Sequence, residues 1–231
     1  MQDALKALFE DREFNNKHHL GAVNSINWAR ILVQTVHYFL SYFQVQAISP
    51  GAQIQYIVPT GNFGDVLSGY YAKRMGLPMD KLVVATNSND ILARFWKVGR
   101  YERVELDAEA ATAPANSPSD GKQSISAVRE TLSPAMDILV SSNFERLLWY
   151  LAYEAEGGGS VDATCAVVDG WMKNVKSNGR VEVPQRVLEL ARRDFTAGRV
   201  SDDQVSVFKI WRFTGIEWMT CADTRNDTEV L

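Results

Sequence analysis

A strand, a glycine-bearing loop and a helix follow one another directly in this chain, and no other feature constrains the fold as much. Apolar residues alternate along positions 53–58, which indicates a largely buried strand, and Pro59 ends it because proline cannot extend a central ladder. A helix is predicted from about Asp65, since apolar residues then recur every three to four positions until Gly76. Residues 81–86 are typical of a second apolar strand. The sequence therefore predicts a βαβ unit with parallel strands and a right-handed crossover.

The loop between that strand and that helix suits an anionic ligand. Gly61 and Gly64 let the backbone take unusual conformations and let a ligand come close, while the first amides of the helix have no partner of their own. A phosphate group is the usual occupant of such a loop, and Thr60 and Asn62 could add side-chain donors. An ordinary βα turn is the alternative. The spacing matches neither a Walker loop nor Gly-x-Gly-x-x-Gly, and Asp65 favours a capping role because a carboxylate stabilises a helix N-terminus.

The overall composition indicates a folded, soluble protein. At 231 residues with 46% hydrophobic and 10% aromatic residues, the chain can bury a full core. A net charge of −4 argues against a nucleic-acid partner. Cys165 and Cys221 are far apart, and His18 and His19 have no third ligand nearby, so we predict neither a disulfide framework nor a metal site. Because the chain has no long apolar run and no signal-peptide core, we expect a cytoplasmic protein without a membrane partner.

The patterning predicts an α/β fold with a parallel sheet and flanking helices, divided into four stretches. Residues 1–106 form an α/β region that contains the loop. Residues 107–130 are rich in Ala, Pro, Ser, Thr and Gly, which indicates a flexible insertion loop. Residues 131–204 continue the same domain and are predicted to be mainly helical. Residues 205–231 form a tail with no helical or strand period.

A long core helix is predicted between positions 26 and 43, with Asn24 or Ser25 as its N-cap. One stripe of this helix should face the core, and it comprises Ile26, Ala29, Leu32, Val36, Phe39, Leu40 and Phe43. Further helices are predicted at residues 3–14, 91–97, 144–155, 163–176 and 184–195. A polar loop should follow the first of these at residues 15–21. Ser142 and Glu145 form a capping-box pattern in front of the helix at 144–155.

Two groups of polar residues are candidates for binding an anionic substrate. Asn27 and Arg30 lie in the first turns of the long helix, near its positive end. Asn87 and Asn89 follow the second strand, at the edge where open α/β sheets bind ligands. Helix capping and a solvated arginine would explain the same residues, so both interpretations stay open.

Four blocks of the sequence resemble the threonine synthases, and the fungal type in particular. They are residues 17–30, 58–65, 85–92 and 132–148, and the resemblance extends from about Asp3 to Ser201. This family belongs to the tryptophan-synthase β (fold type II) group of pyridoxal-phosphate enzymes. The resemblance implies conversion of O-phospho-L-homoserine and water to L-threonine and phosphate. It also implies a partial fold type II cofactor-binding domain followed by C-terminal helical segments.

By the same resemblance the cofactor is pyridoxal 5′-phosphate. Its phosphate would bind at Gly61, Asn62, Phe63, Gly64 and Asp65. The small-molecule substrate, O-phosphohomoserine, would meet Ser25, Asn27, Arg30, Asn87 and Asn89. A monomer or a weak homo-oligomer is expected.

Family segments that carry the chemistry have no counterpart in this sequence. In the family, a lysine in a Phe-Lys-Asp segment forms the Schiff base with the cofactor, and none of this chain's lysines has that context. The Asp-Pro-His-Thr-Gly segment that meets the pyridine nitrogen is also unmatched. We therefore expect a threonine synthase truncated at both ends, with no catalytic residue of its own and inactive alone. A non-catalytic pseudoenzyme or regulatory fragment is one alternative, and a nucleotide-binding α/β module is a less favoured one.

Overall fold

The computed structural model describes residues 8, 11–21, 24–103 and 128–204. Its helices are α1 (Arg12–His18), α2 (Trp28–Ile48), α3 (Gly64–Arg74), α4 (Ile91–Val98), α5 (Phe144–Ala155), α6 (Val161–Asn178) and α7 (Gln185–Asp194). Its strands are β1 (Ile57–Pro59), β2 (Leu82–Thr86), β3 (Arg100–Glu102), β4 (Arg180–Glu182) and β5 (Phe195–Arg199). Most of the predicted insertion loop and the whole predicted tail at 205–231 lie outside the described residues.

The main sheet has three parallel strands in the order β1, β2, β5. β1 pairs with β2 from Ile57–Val83 to Pro59–Ala85. The predicted succession of strand, helix α3 and parallel strand is therefore confirmed, and so is the α/β class with a parallel sheet and flanking helices. Because parallel strands point the same way, the loop after β1 and the residues after β2 come to the same edge of the sheet.

Three strands have no counterpart in the prediction. β5 directly follows α7, inside a stretch predicted as mainly helical, and pairs with β2 from Leu82–Phe195 to Thr86–Arg199. β3 and β4 form a separate antiparallel pair. These strands are three to five residues long, which is too short for a period of two to stand out in the sequence.

An aromatic cluster anchors the candidate loop to the core. Phe63 of the loop lies 5.3 Å, centroid to centroid, from Phe144 of α5 and 6.0 Å from both Trp96 of α4 and Phe195 of β5. All four rings are buried. Such pairs add roughly 0.5–1.5 kcal/mol each beyond the burial of their area, so three elements, α4, α5 and β5, fix the position of the loop.

The long helix α2 is present, but the prediction of its buried face is wrong. Its buried residues are Ile31, Thr35 and Tyr38, whereas most of the predicted stripe is exposed: Ile26 40%, Leu32 46%, Val36 61%, Leu40 57% and Phe43 63%. α2 packs on α3 through Tyr38, whose hydroxyl donates to the carbonyl oxygen of Asp65 at 3.1 Å. Two faces of α2 are apolar, and only the contact with α3 selects between them. No helix among the described residues is long and apolar enough to span a membrane.

Two further local predictions need correction at the start of α2 and around α1. The N-cap of α2 is Asn27, whose side chain accepts from the amide of Ala29 at 2.9 Å, and not Asn24 or Ser25. Asn24 instead accepts from the amide of Ile26 at 3.0 Å and closes the preceding turn. The predicted polar loop at 15–21 is largely helical, because Asp11 caps α1 and the chain continues as a helix to His18.

The C-terminal helices follow the prediction closely, except for one cap. α5 has the predicted bounds, and its Leu147, Leu148 and Leu151 are fully buried as expected. The capping box is wrong, because the N-cap is Asn143 and Ser142 turns its hydroxyl to the side chain of Asn62 at 3.2 Å. α6 and α7 are also found, although Pro184 is the N-cap of α7 and Phe195 already belongs to β5.

Candidate functional site

The candidate loop leaves the sheet at the carboxyl ends of β1 and β2. The amide of Thr60 donates to the carbonyl of Ala85 at 2.8 Å, which extends the parallel pairing by one residue. The hydroxyl of Thr60 donates to the carbonyl of Val58 at 2.6 Å, and the residue is buried. Thr60 therefore holds the end of the strand, and its hydroxyl proton is already used inside the protein.

The backbone amides that follow Thr60 are the main hydrogen-bond donors that this site offers to a ligand. In the described part of the chain, no acceptor bonds the amides of residues 61–66, and the first hydrogen bond of α3 is from Leu67 to Phe63 at 3.2 Å. No side chain caps the helix. Unpaired amides at a helix N-terminus carry the positive end of the helix dipole, which favours an anion.

Phe63 anchors the loop with its ring and offers only its backbone amide to a ligand. Its φ of 62° is in the left-handed region, where a residue with a side chain is strained. The ring compensates for this strain because it is 1% exposed and packed in the aromatic cluster. Of Phe63, only the amide is thus available for the predicted phosphate contact.

Asn62 presents a side-chain donor next to these amides. Its Oδ1 accepts from the hydroxyl of Ser142 at 3.2 Å, and its backbone carbonyl accepts from the amide and the side chain of Asn143 at 3.1 and 2.9 Å. Its Nδ2 donates to none of the described residues. With the oxygen fixed by Ser142, the Nδ2 of Asn62 is the free side-chain donor of the loop.

Asp65 does not cap α3 as predicted, because Phe63 occupies the N-cap position and Asp65 lies in the first turn. Its carboxylate turns to α2 and lies 3.1 Å from Nε2 of His37. Burial raises the pKa of Tyr38, and the negative charge of Asp65 raises it further. Asp65 can contribute its amide to an anion, while its side chain ties α3 to α2.

Position 61 requires glycine because another segment of the chain passes close to its backbone. A side-chain Cβ at Gly61 would lie 3.0 Å from the carbonyl oxygen of Ala135 and 3.1 Å from the Cα of Met136. The Ser133–Asp137 segment therefore covers one side of the loop. No residue pattern in this segment predicted a role in the site, although residues 132–148 are one of the blocks that resemble the family.

The predicted substrate residues Asn87 and Asn89 hold that covering segment. Nδ2 of Asn87 donates to Asp137 at 2.6 Å and to Thr131 at 2.8 Å, while its Oδ1 accepts from the amide of Asn89 at 2.9 Å. Nδ2 of Asn89 donates to Asp137 at 3.1 Å and to the carbonyl of Arg129 at 2.9 Å. Both residues lie at the expected edge of the sheet, with their polar atoms engaged by protein; substrate contact by either stays a prediction.

The turn before α2, residues 24–27, lies against the loop. The carbonyl of Ser25 accepts from Nδ2 of Asn143 at 2.8 Å, and the carbonyl of Ile26 accepts from Nη2 of Arg146 at 2.7 Å. Arg30 is exposed, and its guanidinium bonds none of the described residues. The structure thus brings Ser25 close to the loop and leaves Arg30 free to meet an anion. Asn143 and Arg146 are new to the site, because no local pattern links them to residues about 80 to 120 positions away.

A second cleft lies elsewhere, between α6 and the β3–β4 pair. It is lined by Arg100, Trp171, Asn174, Asn178, Arg180, Val181 and Glu182. None of these residues belongs to the loop, the turn before α2 or the Ser133–Asp137 segment. The cleft therefore offers an independent place against which ligand binding at the loop can be compared.

Comparison with known proteins identifies the relatives of this chain, although no family model matches it. A threonine synthase from Schizosaccharomyces pombe is 53% identical over 204 residues, which are 88% of this chain and 38% of that protein. The crystal structure of threonine synthase from yeast matches with a TM-score of 0.73 at 48% identity, over 89% of this chain and 36% of that one. This chain is homologous to a part of threonine synthase.

The homology to threonine synthase confirms the resemblance carried by the four sequence blocks. A pyridoxal-phosphate-bound threonine synthase from Brucella melitensis matches with a TM-score of 0.68 at 40% identity, over 89% of this chain and 37% of that one. The chain spans less than two fifths of the length of these threonine synthases.

Proposed function

We propose that this chain forms the part of a pyridoxal-phosphate-dependent threonine synthase that receives the cofactor's phosphate. The observation that carries the proposal is the row of unpaired amides at residues 61–66, at the N-terminus of α3 and the carboxyl edge of the parallel sheet. The reaction of the complete enzyme would convert O-phospho-L-homoserine and water to L-threonine and phosphate.

The loop residues fit a phosphate ester in three respects. The absence of a side chain at Gly61 and Gly64 lets the Ser133–Asp137 segment and Asn143 lie directly against the loop backbone, which helps to hold its amides in place. The amides of residues 61–66 and Nδ2 of Asn62 supply donors, which suits a group with three acceptor oxygens. The carboxylate within the loop, that of Asp65, is turned to His37 at 3.1 Å, so it does not compete for the donors. These features support a phosphate group such as the one that pyridoxal phosphate carries.

Pyridoxal phosphate supplies an electron sink for carbanion chemistry when it is bound. The residues of this chain would bind its phosphate, orient it through the helix dipole and shield one side with the Ser133–Asp137 segment. Lys73 lies in the last turn of α3, roughly 14 Å along the helix from its first residue, and pairs with Asp194. Lys81 precedes β2, at the opposite edge of the sheet from the loop. This placement supports the proposal that the chain binds the phosphate but has no lysine for covalent attachment and is inactive alone.

The turn before α2 is the proposed place for the substrate. Ser25 lies against the loop through Asn143, and Arg30 is an exposed cation whose guanidinium bonds none of the described residues. A guanidinium suits a phosphate or a carboxylate because it can donate two parallel hydrogen bonds. We propose that Arg30 contacts an anionic group of the substrate, while Asn87 and Asn89 position the covering segment.

Calorimetric titration with pyridoxal phosphate, pyridoxal and inorganic phosphate tests the cofactor proposal. Pyridoxal phosphate and phosphate should bind, and pyridoxal should bind far more weakly, because the loop recognises the anion. Asn62→Asp keeps the oxygen that accepts from Ser142 but adds a negative charge beside the site, so affinity for pyridoxal phosphate should fall at least about tenfold. Asn174→Asp adds the same charge on α6 and should change affinity less than about twofold. Equal affinity of both variants would refute the assignment of the loop.

A second experiment tests the proposal that this chain has no lysine for covalent attachment of the cofactor. The protein is mixed with pyridoxal phosphate and reduced with borohydride, and its peptides are analysed by mass spectrometry. We expect no single lysine to carry the cofactor stoichiometrically, since Lys73 and Lys81, the lysines that flank the loop in the βαβ unit, lie away from it. A stoichiometric adduct at one lysine would overturn the proposal that the chain is inactive for lack of such a residue.

A further inference from the structure

We infer that Asn143 is a positioning residue for the phosphate site, because it sets the direction in which the Phe63 amide points; the inference rests on the proposed function. Asn143 is completely buried at the start of α5. It is the N-cap residue of that helix, yet its side chain makes no capping bond. Its amide group is used entirely outside α5.

The side chain of Asn143 joins two distant segments of the chain. Its Nδ2 donates to the carbonyl of Ser25 at 2.8 Å and to the carbonyl of Asn62 at 2.9 Å. Its backbone amide donates to the same carbonyl of Asn62 at 3.1 Å. The turn that carries the proposed substrate residues and the loop that carries the free amides are therefore held by one carboxamide.

The orientation of this carboxamide is determined by its neighbours. The Oδ1 atom is buried without a donor among the described residues, so it gains nothing from its present position. Rotating the group by half a turn would place Oδ1 against the two carbonyl oxygens, leaving the Ser25 carbonyl without a donor and the Asn62 carbonyl with only the backbone amide of Asn143. The amino group must therefore face the loop and the turn.

The bond from Asn143 to the Asn62 carbonyl also orients the amide of the next residue, Phe63. The carbonyl of Asn62 and the amide of Phe63 belong to one planar trans peptide, in which C=O and N–H point in opposite directions. Two donors from Asn143 hold this carbonyl on the side of α5. The Phe63 amide is thereby directed away from α5, to the side where the other free amides of the loop begin α3.

This restraint acts where the backbone most needs one. Phe63 has a left-handed φ of 62°, a conformation that costs about 1–2 kcal/mol for a residue with a side chain. An ideal Cβ on Gly64 would lie 3.6 Å from Nδ2 of Asn143, so Asn143 packs directly behind the turn. Its carboxamide can stabilise the strained peptide in the ligand-free protein, before any anion arrives.

Phosphate titration of Asn143→Ala and of Asn143→Ser tests the inference, with Asn174→Ala as the matched control. Asn174 is an exposed asparagine on α6 and lines the cleft that lies away from the loop. We expect affinity for inorganic phosphate and pyridoxal phosphate to fall about tenfold in Asn143→Ala and less in Asn143→Ser, which keeps one donor. Affinity for pyridoxal should be unchanged, and Asn174→Ala should bind within about twofold of the unaltered protein. Equal phosphate affinity in folded Asn143→Ala would overturn the inference.

A second measurement separates this inference from the proposed function and does not require phosphate to bind. In the ligand-free protein, the amide resonance of Phe63 should move in Asn143→Ala, while amides of α7 should keep their positions. An unmoved Phe63 resonance would refute the positioning role even if phosphate binds normally. Absence of phosphate binding to the unaltered protein would refute the proposed function. In that case the Phe63 amide resonance in Asn143→Ala would still test the positioning role of Asn143. Should both variants fail to fold by circular dichroism, slow exchange of the Asn143 side-chain protons in the unaltered protein is expected, and fast exchange would contradict the bonds.

Discussion

Substituting Gly69 by alanine should destabilise the protein although alanine is the better helix former. Gly69 lies within α3, and an ideal Cβ there would be 2.7 and 2.8 Å from two ring carbons of Tyr38 on α2 and 3.0 Å from Cδ2 of Leu82 on β2. Tyr38 is 1% exposed, and its hydroxyl donates to the Asp65 carbonyl at 3.1 Å. The ring therefore has no space into which to withdraw.

The magnitude follows from two opposing effects. Replacing glycine by alanine inside a helix contributes about 1 kcal/mol of stability. Forcing an extra methyl group into a packed core costs about 1–3 kcal/mol, and loss of the Tyr38 hydrogen bond would cost about 1 kcal/mol more. We expect Gly69→Ala to lower the free energy of unfolding by about 1–3 kcal/mol, and the melting temperature by roughly 2–12 °C.

Gly170 on α6 provides the matched control. It is also an interior helical glycine, but nothing lies within 4 Å of an ideal Cβ at this position. Gly170→Ala should raise the free energy of unfolding by about 0.5–1 kcal/mol, because only the helix propensity changes. Urea unfolding followed by circular dichroism compares the two variants. If Gly69→Ala is stabilised as much as Gly170→Ala, the tight packing of α2 on α3 is refuted.

Three further outcomes are expected. Burial raises the pKa of Tyr38 and of Tyr101, so the folded protein keeps protons that the unfolded chain releases above about pH 10. The free energy of unfolding should therefore be constant from about pH 7 to 9 and fall above about pH 10. A urea midpoint that stays level to about pH 11 would contradict this expectation. The hydrogen bond from Arg193 lowers the pKa of Glu154, so the stability that this pair contributes is present above about pH 4.5 and lost as the pH falls. In Glu154→Gln, the urea midpoint should therefore fall less steeply below about pH 4.5 than in the unaltered protein. An unchanged acid dependence of the midpoint would count against the pair. Asn87→Ala should lower the free energy of unfolding by about 1–3 kcal/mol and speed hydrogen exchange at residues 131–137, since Thr131 and Asp137 lose a buried partner. Unchanged exchange at these residues would show that Asn87 does not hold the segment.

Local patterns were sufficient to predict the centre of the fold. The alternating strand before Pro59, the helical period after Asp65 and the apolar strand at 81–86 each depend on neighbouring residues, and together they gave the parallel βαβ unit. The start of α3 was predicted to within one residue for the same reason. Its free amides follow from helix geometry alone, so the candidate anion site could be located before any tertiary contact was known.

Features that depend on distant contacts could not be predicted in this way. α2 has two apolar faces, and the buried one is chosen by the fit of Tyr38 against Gly69. β5 exists because β2 has a second edge to pair, and its own five residues carry no strand period. Asn143 reaches residues 81 and 118 positions away, and no local spacing predicts such bonds. The only sequence signal for its role was its place in a block that resembles the family.

Backbone amide spectra of the isotope-labelled protein during addition of pyridoxal phosphate test the central claim most directly. The amide resonances of residues 61–66 should move in a saturable manner, and pyridoxal, which has no phosphate, should leave them in place. Saturable movement confined to the cleft at Trp171 and Arg180, with residues 61–66 unchanged, would contradict the claim that the loop receives the anion.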